Sequence, residues 1–121
     1  NITAVARNPR DEKLMNAIKA FVNDNIENEN LSVSDITQAV GISRTVLHVK
    51  MKNLLDMSIS EYVRTLRLGK AKELLLEGLN ISESAYRTGF SDPNYFSKCF
   101  KKKYGSTPSD FISALRNGNQ E

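Results

Sequence analysis

The chain has one cysteine, one histidine and no tryptophan. A single cysteine excludes an internal disulfide and suits a reducing compartment. One Cys and one His cannot supply the four ligands that a zinc site normally takes, so neither a metal nor a cofactor is expected. No apolar run approaches the roughly 20 residues of a membrane span. The first nine residues, Asn1 to Pro9, lack both the charged start and the apolar stretch of a secretory signal. Hairpin dipeptides and sustained period-2 alternation of β-branched residues are missing too, which argues against strands. There is no nucleophile–base set, glycine-rich phosphate loop or convergent carboxylate pair at sensible spacing, so the chain is not read as an enzyme.

What is present is charge, unevenly spread. The 121 residues carry a formal charge of +3, and that length suits one modest core. Residues 1–42 hold four basic and six acidic side chains, net −2, whereas residues 43–121 hold thirteen and eight, net +5. The bases of the second part cluster as Arg44, Lys50 and Lys52, and again as Lys98, Lys101, Lys102 and Lys103. Such runs are either solvated helix faces or the footprint of an anionic partner.

Helical periodicity accounts for most of the chain. Leu14, Ile18, Phe21 and Val22 form a stripe led by Asp11 and Glu12, predicting a helix from Asp11 to about Glu27 behind a flexible segment, 1–10. Ser32 with Asp35 reads as a capping box for a short helix burying Ile36, Ala39 and Val40, stopped by Gly41. Ser43 opens a helix with Val46, Leu47, Met51 and Leu54 on one side. Ser58 and Glu61 open a longer one, lined by Tyr62, Val63, Leu66, Ala71, Leu74 and Leu75, that Gly78 ends. Asn80 with Glu83 caps a short helix offering Ala85 and Tyr86, and Ser91 caps the next, with Pro93 in its first turn and Phe96, Cys99, Phe100 and Tyr104 as its stripe. Thr107-Pro108 begins the last, with Phe111, Ile112 and Leu115 inward. The expectation is an all-α fold of about seven helices.

The two halves resemble each other. Gly41-Ile42-Ser43 corresponds to Gly89-Phe90-Ser91, Val46-Leu47 to Tyr95-Phe96, Met51-Lys52 to Phe100-Lys101, and Ser60-Glu61-Tyr62-Val63 to Ser109-Asp110-Phe111-Ile112. Each unit is a short helix, a glycine-centred turn, a second helix and a capped third helix, which is the layout of a helix-turn-helix. Two in tandem, each with bases on its second helix, predict two helix-turn-helix subdomains joined by a linker helix, in a homeodomain-like arrangement. The boundaries fall near 31–56 for the first unit, 60–77 for the linker, 80–105 for the second unit and 107–116 for the final helix, within one domain spanning 11–121.

The run Gly89-Phe90-Ser91-Asp92-Pro93-Asn94-Tyr95-Phe96-Ser97-Lys98, continued by Phe100-Lys101-Lys102, Tyr104-Gly105 and Thr107-Pro108-Ser109, resembles the DNA-binding domain of the AraC/XylS family. The linker pattern from Tyr62-Val63-Arg64 through Arg67-Leu68 to Leu74-Leu75 is similar to that family as well, and the resemblance covers Leu31 to Arg116. It implies sequence-specific binding of double-stranded DNA for transcription control in the cytoplasm, and RNA polymerase as a partner. The texture of Leu47 to Glu77 is similar to members fused behind membrane sensors in hybrid two-component proteins. That implies the output end of a larger, membrane-anchored protein whose sensor or receiver domains lie outside this chain. Departures from the family pattern fall at Thr37, Lys50, Asp56, Ile59, Ser84 and Thr88. They predict looser packing, above all in the second unit, where Ser84→Ile with Thr88→Val should stabilise.

The second helix of each unit is the candidate for the major groove, entering by its N-terminal residues. With Leu47, Met51 and Leu54 inward, Arg44, Thr45, His48 and Val49 are left for bases and Lys52 for phosphate. With Phe96 and Phe100 inward, Asn94, Ser97 and Lys98 are left for bases, Asn94 suiting adenine and Lys98 guanine, and Lys101 and Lys102 for phosphate. Ser43 and Ser91, at helix starts, are candidates for phosphate. Resemblance puts Thr45, His48 and Val49 at the family's base-facing positions. Plain readings stand beside these: a surface histidine at 48, a core thiol at Cys99, and packing at Tyr95 and Tyr104. Arg64 and Arg67 stay open between the DNA backbone and acids such as Glu61. The competing function is a helical protein-interaction module whose basic clusters are incidental; steep salt dependence separates DNA binding from it.

Overall fold

A side-chain oxygen starts every helix among the described residues, 8–119, of the computed structural model. The helices are α1 (Pro9–Asp24), α2 (Val33–Val40), α3 (Arg44–Leu55), α4 (Ile59–Leu76), α5 (Ile81–Tyr86), α6 (Pro93–Tyr104) and α7 (Pro108–Asn119). Each cap accepts a backbone N–H that the helix itself leaves unpaired. The acceptors are Asn8 from Asp11 (2.8 Å), Ser32 from Asp35 (3.1 Å), Ser43 from Val46 (3.1 Å), and Ser58 from Glu61 (3.1 Å). Asn80 accepts from Glu83 (2.8 Å), Asp92 from Asn94 (2.9 Å) and Thr107 from Asp110 (3.1 Å). At α2 the box is reciprocal, the Asp35 carboxylate accepting from the Ser32 N–H at 3.0 Å. No strand occurs among the described residues.

Four helix edges differ from the sequence expectation. Asn8 with Pro9 at the first helical position starts α1 two residues early, and α1 stops at Asp24 rather than near Glu27. Residues 1–7 of the flexible segment expected at 1–10 lie outside the described residues. The cap of α6 is Asp92, not Ser91, because the chain is still extended at Asp92 (φ −124, ψ 111) and its carboxylate reaches the Asn94 N–H. The final helix continues past 116 to Asn119.

Helix ends follow the same local logic. Gly41 closes α2 in the left-handed region (φ 72), which a β-carbon disfavours. Asp56 closes α3 in that region as well (φ 52), a place where Asp is among the few tolerated non-glycine residues.

The chain divides into two units, Asn1–Ile26 with Asn30–Leu66, and Glu27–Glu29 with Arg67–Glu121. In the first, Met15, Ile18 and Val22 of α1 pack with Ile36 of α2, Leu47 and Met51 of α3, and Ile59 and Tyr62 at the start of α4. Full burial of such a side chain contributes about 1.5–3 kcal/mol. In the second, Leu68, Ala71 and Leu75 of α4 pack with Ala85, Phe90, Phe96 and Phe100. Phe100 centres an aromatic group there, with ring centroids 5.7 Å from Phe96, 4.7 Å from Tyr104 and 5.6 Å from Phe111. Cys99 packs half-buried against this core, as a small core thiol should.

Three side chains expected inside point outward: Ala39 is exposed, and Val46 and Tyr86 are 45% and 54% exposed. Ala39 and Tyr86 lie on helices of eight and six residues, which turn too few times for periodicity to fix which flank is covered, and Val46 borders the buried stripe of α3. Ser84 and Thr88 are inward as expected, both fully buried. The Thr88 hydroxyl is satisfied, donating to the carbonyls of Ser84 (2.8 Å) and Ala85 (3.2 Å). The Ser84 hydroxyl has no hydrogen-bond partner.

Candidate nucleic-acid interface

Leu47 and Met51 are fully buried on one side of α3. Arg44, Thr45, His48, Val49 and Lys52 are all exposed, Val49 at 49%. Spacings of three and four residues join Thr45, His48, Val49 and Lys52 in one face, and Arg44 is exposed beside it because it stands at the first helical position. On α6, Phe96 and Phe100 are buried and Asn94, Lys98, Lys101 and Lys102 are exposed. Ser97 is only half-buried and sits at the edge of that face. The expected side chains of α3 and α6 are thus exposed on their own helices, Ser97 at the edge excepted.

The repeat holds side chain by side chain. Leu47 and Phe96 are each fully buried, whereas their preceding partners Val46 and Tyr95 are 45% and 50% exposed. Gly41 and Gly89, opening the matching turns, share the left-handed backbone (φ 72 and 83). Sequence reasoning treated Val46 and Tyr95 as packing residues. Their equivalence in the repeat was the available signal that both stand at one outward position. Tyr95 still leans on the second core, its ring 6.2 Å from that of Phe90.

Helix starts carry a positive end that acidic side chains ordinarily neutralise. The first turns of α1, α2, α4, α5 and α7 contain such an acid; those of α3 and α6 contain none. The start of α3 carries no acid at all, its cap being Ser43 and its first residue Arg44. At α6 the Asp92 carboxylate occupies the cap, and Ser91 stands one residue outside it. Lys101, Lys102 and Lys103 fill the last turn of α6, where they also favour the negative helix end.

Several cations are already engaged. Lys52 pairs with Asp56 at 2.6 Å, which raises the lysine pKa and lowers that of the carboxyl, the hydrogen bond contributing most and the charge next. Both partners are exposed, so a phosphate can displace the carboxylate at small cost. Lys50 pairs with Asp11 at 2.8 Å. The Lys72 ammonium sits 4.6 Å above the Tyr104 ring, a cation–π contact inside the second unit. Arg67 does not pair with Glu61: its guanidinium donates to the carbonyls of Gly89 and Asn28, each at 2.8 Å. Burial lowers its pKa from the ordinary arginine value. Among the described residues no group of His, Cys, Asp and Glu could hold a metal ion, and no helix is long and apolar enough to cross a membrane.

Two outward helix faces, repeated on paired helix-turn-helix units, define a double helix-turn-helix DNA-binding domain. A family model described as a helix-turn-helix domain matches residues 36–114. The chain belongs to this AraC-type family of transcription regulators. It is 40% identical over 102 residues to a protein named histidine kinase P4 from Formosa agariphila, covering 84% of this chain and 7% of that one. It spans only 31% and 40% of two further curated relatives. Among solved structures, an AraC-type regulator from Chromobacterium violaceum superposes with a TM-score of 0.79 at 30% identity, over 88% of this chain and 95% of that one. The C-terminal domain of the two-component response regulator yesN from Fusobacterium nucleatum gives 0.73 at 28% identity, over 83% and 98%.

Proposed function

We propose that α3 and α6 are the two recognition helices, each laid in a major groove of one DNA duplex, in grooves about 10 base pairs apart. The observation that carries this is the acid-free first turn on just these two helices, each with its bases turned outward. On α3, Arg44, Thr45 and His48 donate to or accept from base edges, and Val49 packs on a thymine methyl. Ser43 and the free N–H groups beside it take a phosphate, and Lys52 exchanges Asp56 for a second. On α6, Asn94, Ser97 and Lys98 read bases, and Lys101 and Lys102 hold phosphates. Ser91 offers phosphate its hydroxyl alone, because Asp92 fills the helix start. Val46 and Tyr95 add apolar contacts to sugars at the rim of each groove.

The domain is the output end of a larger signal-responsive regulator, working where DNA is, in the cytoplasm. The Formosa agariphila relative supports this reading, since the match occupies a small fraction of a protein named as a histidine kinase. RNA polymerase is the partner that transcription control then requires. Selection from a randomised double-stranded DNA pool tests the core of the proposal. The expected result is two short enriched elements in one helical phase, bound with affinity that falls steeply with salt. Inserting about five base pairs between them should abolish joint binding. No enrichment, or affinity indifferent to that insertion, would overturn it.

A further inference from the structure

Lys50 belongs to the basic cluster of α3 by sequence, yet its ammonium is turned toward α1. It donates at 2.8 Å to one oxygen of Asp11, and the other oxygen accepts from the Asn8 amide at 2.9 Å. The Asp11 side chain is only 12% exposed, that of Lys50 41%. Asp11 also lies in the first turn of α1, where the positive helix end favours a carboxylate. Thirty-nine residues separate the partners, so this contact ties the first helix of the unit to α3.

We infer that the Asp11–Lys50 pair is a positioning device for α3, and that Lys50 is not a phosphate ligand. The inference rests on the DNA-binding reading above. Apolar contacts such as those of Leu47 and Met51 are non-directional and resist small rotations of a helix weakly. A charge-assisted hydrogen bond is directional. Side-chain tips lie about 5 Å from the helix axis, so a rotation of about 10° moves them by about 1 Å. That displacement is enough to break the base contacts of Thr45 and His48. Lys50 sits between Val49 and Met51, at the border of the outward and buried faces, where a tether controls rotation best.

The test uses the 121-residue chain and the duplex selected from the random pool. The measured quantity is the ratio of affinities for that duplex and for one scrambled in the element read by α3. Lys50→Met should lower this ratio about tenfold, the size of one lost base contact, without changing the slope of log affinity against log salt. Asp11→Leu combined with Lys50→Met replaces the pair by apolar groups. It should recover the thermal stability of the parent but not its ratio, and it carries the measurement if the single variant fails to fold. Asp11→Asn, which keeps a hydrogen bond to Lys50, should retain most of the ratio. A salt slope reduced by about one in Lys50→Met would make Lys50 a phosphate ligand and overturn the inference. So would a full ratio in the double variant, which would leave the pair a packing contact only. If the parent chain enriches no duplex at all, the DNA-binding reading itself falls, and this inference with it.

Discussion

Replacing Ser84 by alanine should stabilise the second unit. Ser84 is fully buried and its hydroxyl has no hydrogen-bond partner, so the folded chain bears an uncompensated desolvation cost. For a buried hydroxyl that cost is about 1–3 kcal/mol. Deleting one oxygen leaves a small void, worth a few tenths of a kcal/mol at about 24 cal/mol per Å³. Alanine is also the better helix former by up to about 0.5 kcal/mol, and position 84 lies inside α5. The expected balance is a gain of about 1–2 kcal/mol, or a rise in Tm of about 4 °C or more. Thr88→Val, the same kind of change one turn later, should do the reverse. The Thr88 hydroxyl donates to the Ser84 carbonyl at 2.8 Å, and losing it leaves a buried acceptor short of a donor, at about 1 kcal/mol.

The pair Ser84→Ile and Thr88→Val, which the sequence pattern recommended, should therefore fail to stabilise. Isoleucine adds three carbon atoms at a site with no exposure, and overpacking costs about 1–3 kcal/mol. Urea unfolding of the three variants, with amide exchange across Glu83–Thr88 to localise the effect, measures all of this. A loss of stability in Ser84→Ala, or a gain in Thr88→Val, would mean the hydroxyl accounting is wrong.

Other consequences are as direct. Lys98→Ala and Asn94→Ala should each relax preference at a particular base pair by about 1–3 kcal/mol, while Lys101→Ala weakens all sequences alike and flattens the salt slope by about one; an altered preferred base in Lys101→Ala would mean the faces of α6 are misassigned. Asp92→Asn keeps a cap on α6 and removes the acid from its start, so DNA affinity should rise about two- to fivefold in low salt; a fall would place Asp92 in a useful contact. Burial raises the phenol pKa of Tyr62 and Tyr104. The unfolded chain releases those protons near pH 10 while the folded chain holds them, so stability is complete below about pH 10 and is lost as pH rises through the folded values. Tyr62→Phe should move the alkaline unfolding midpoint upward, followed by circular dichroism, and an unmoved midpoint would exclude Tyr62 as a cause.

Local features of this fold were readable because local chemistry causes them. Ser32, Ser43, Ser58, Asn80 and Thr107 cap where a short polar side chain precedes an apolar stripe, and Leu47, Met51, Phe96 and Phe100 are inside because they recur at helical spacing. The outward faces of α3 and α6 follow by subtraction. What escaped is of two kinds. Ala39, Val46 and Tyr86 border their stripes, and only the neighbouring helices decide which border is covered. Asp11–Lys50, Arg67–Gly89 and Arg67–Asn28 join residues 22 to 39 positions apart, a range over which periodicity carries no information. Each turns an apparently surface cation into a structural one, so counting lysines and arginines by sequence overstates the charge offered to DNA.

The distribution of acids shows what that correction leaves. Five helices place an acid in the first turn, where it stabilises the helix by about 0.3–1 kcal/mol at the surface. Locally, α3 would gain by the same device and forgoes it altogether, whereas α6 holds its acid one residue earlier, at the Asp92 cap. A departure from the locally favourable choice is expected where function competes with stability. The two helices depart unequally. The acid-free start of α3, from Ser43 onward, can receive a phosphate directly, while Lys50 and Lys52 are each engaged by a carboxylate. The start of α6 is covered by Asp92, and its bases stand from Lys98 onward toward the other end. On the DNA-binding reading, α3 is held by its first turn with Lys52 alone beyond it, and α6 by its middle and last turns. Raising salt should then weaken the α6 element more steeply than the α3 element, because lysine–phosphate contacts release counterions and a single helix start releases fewer.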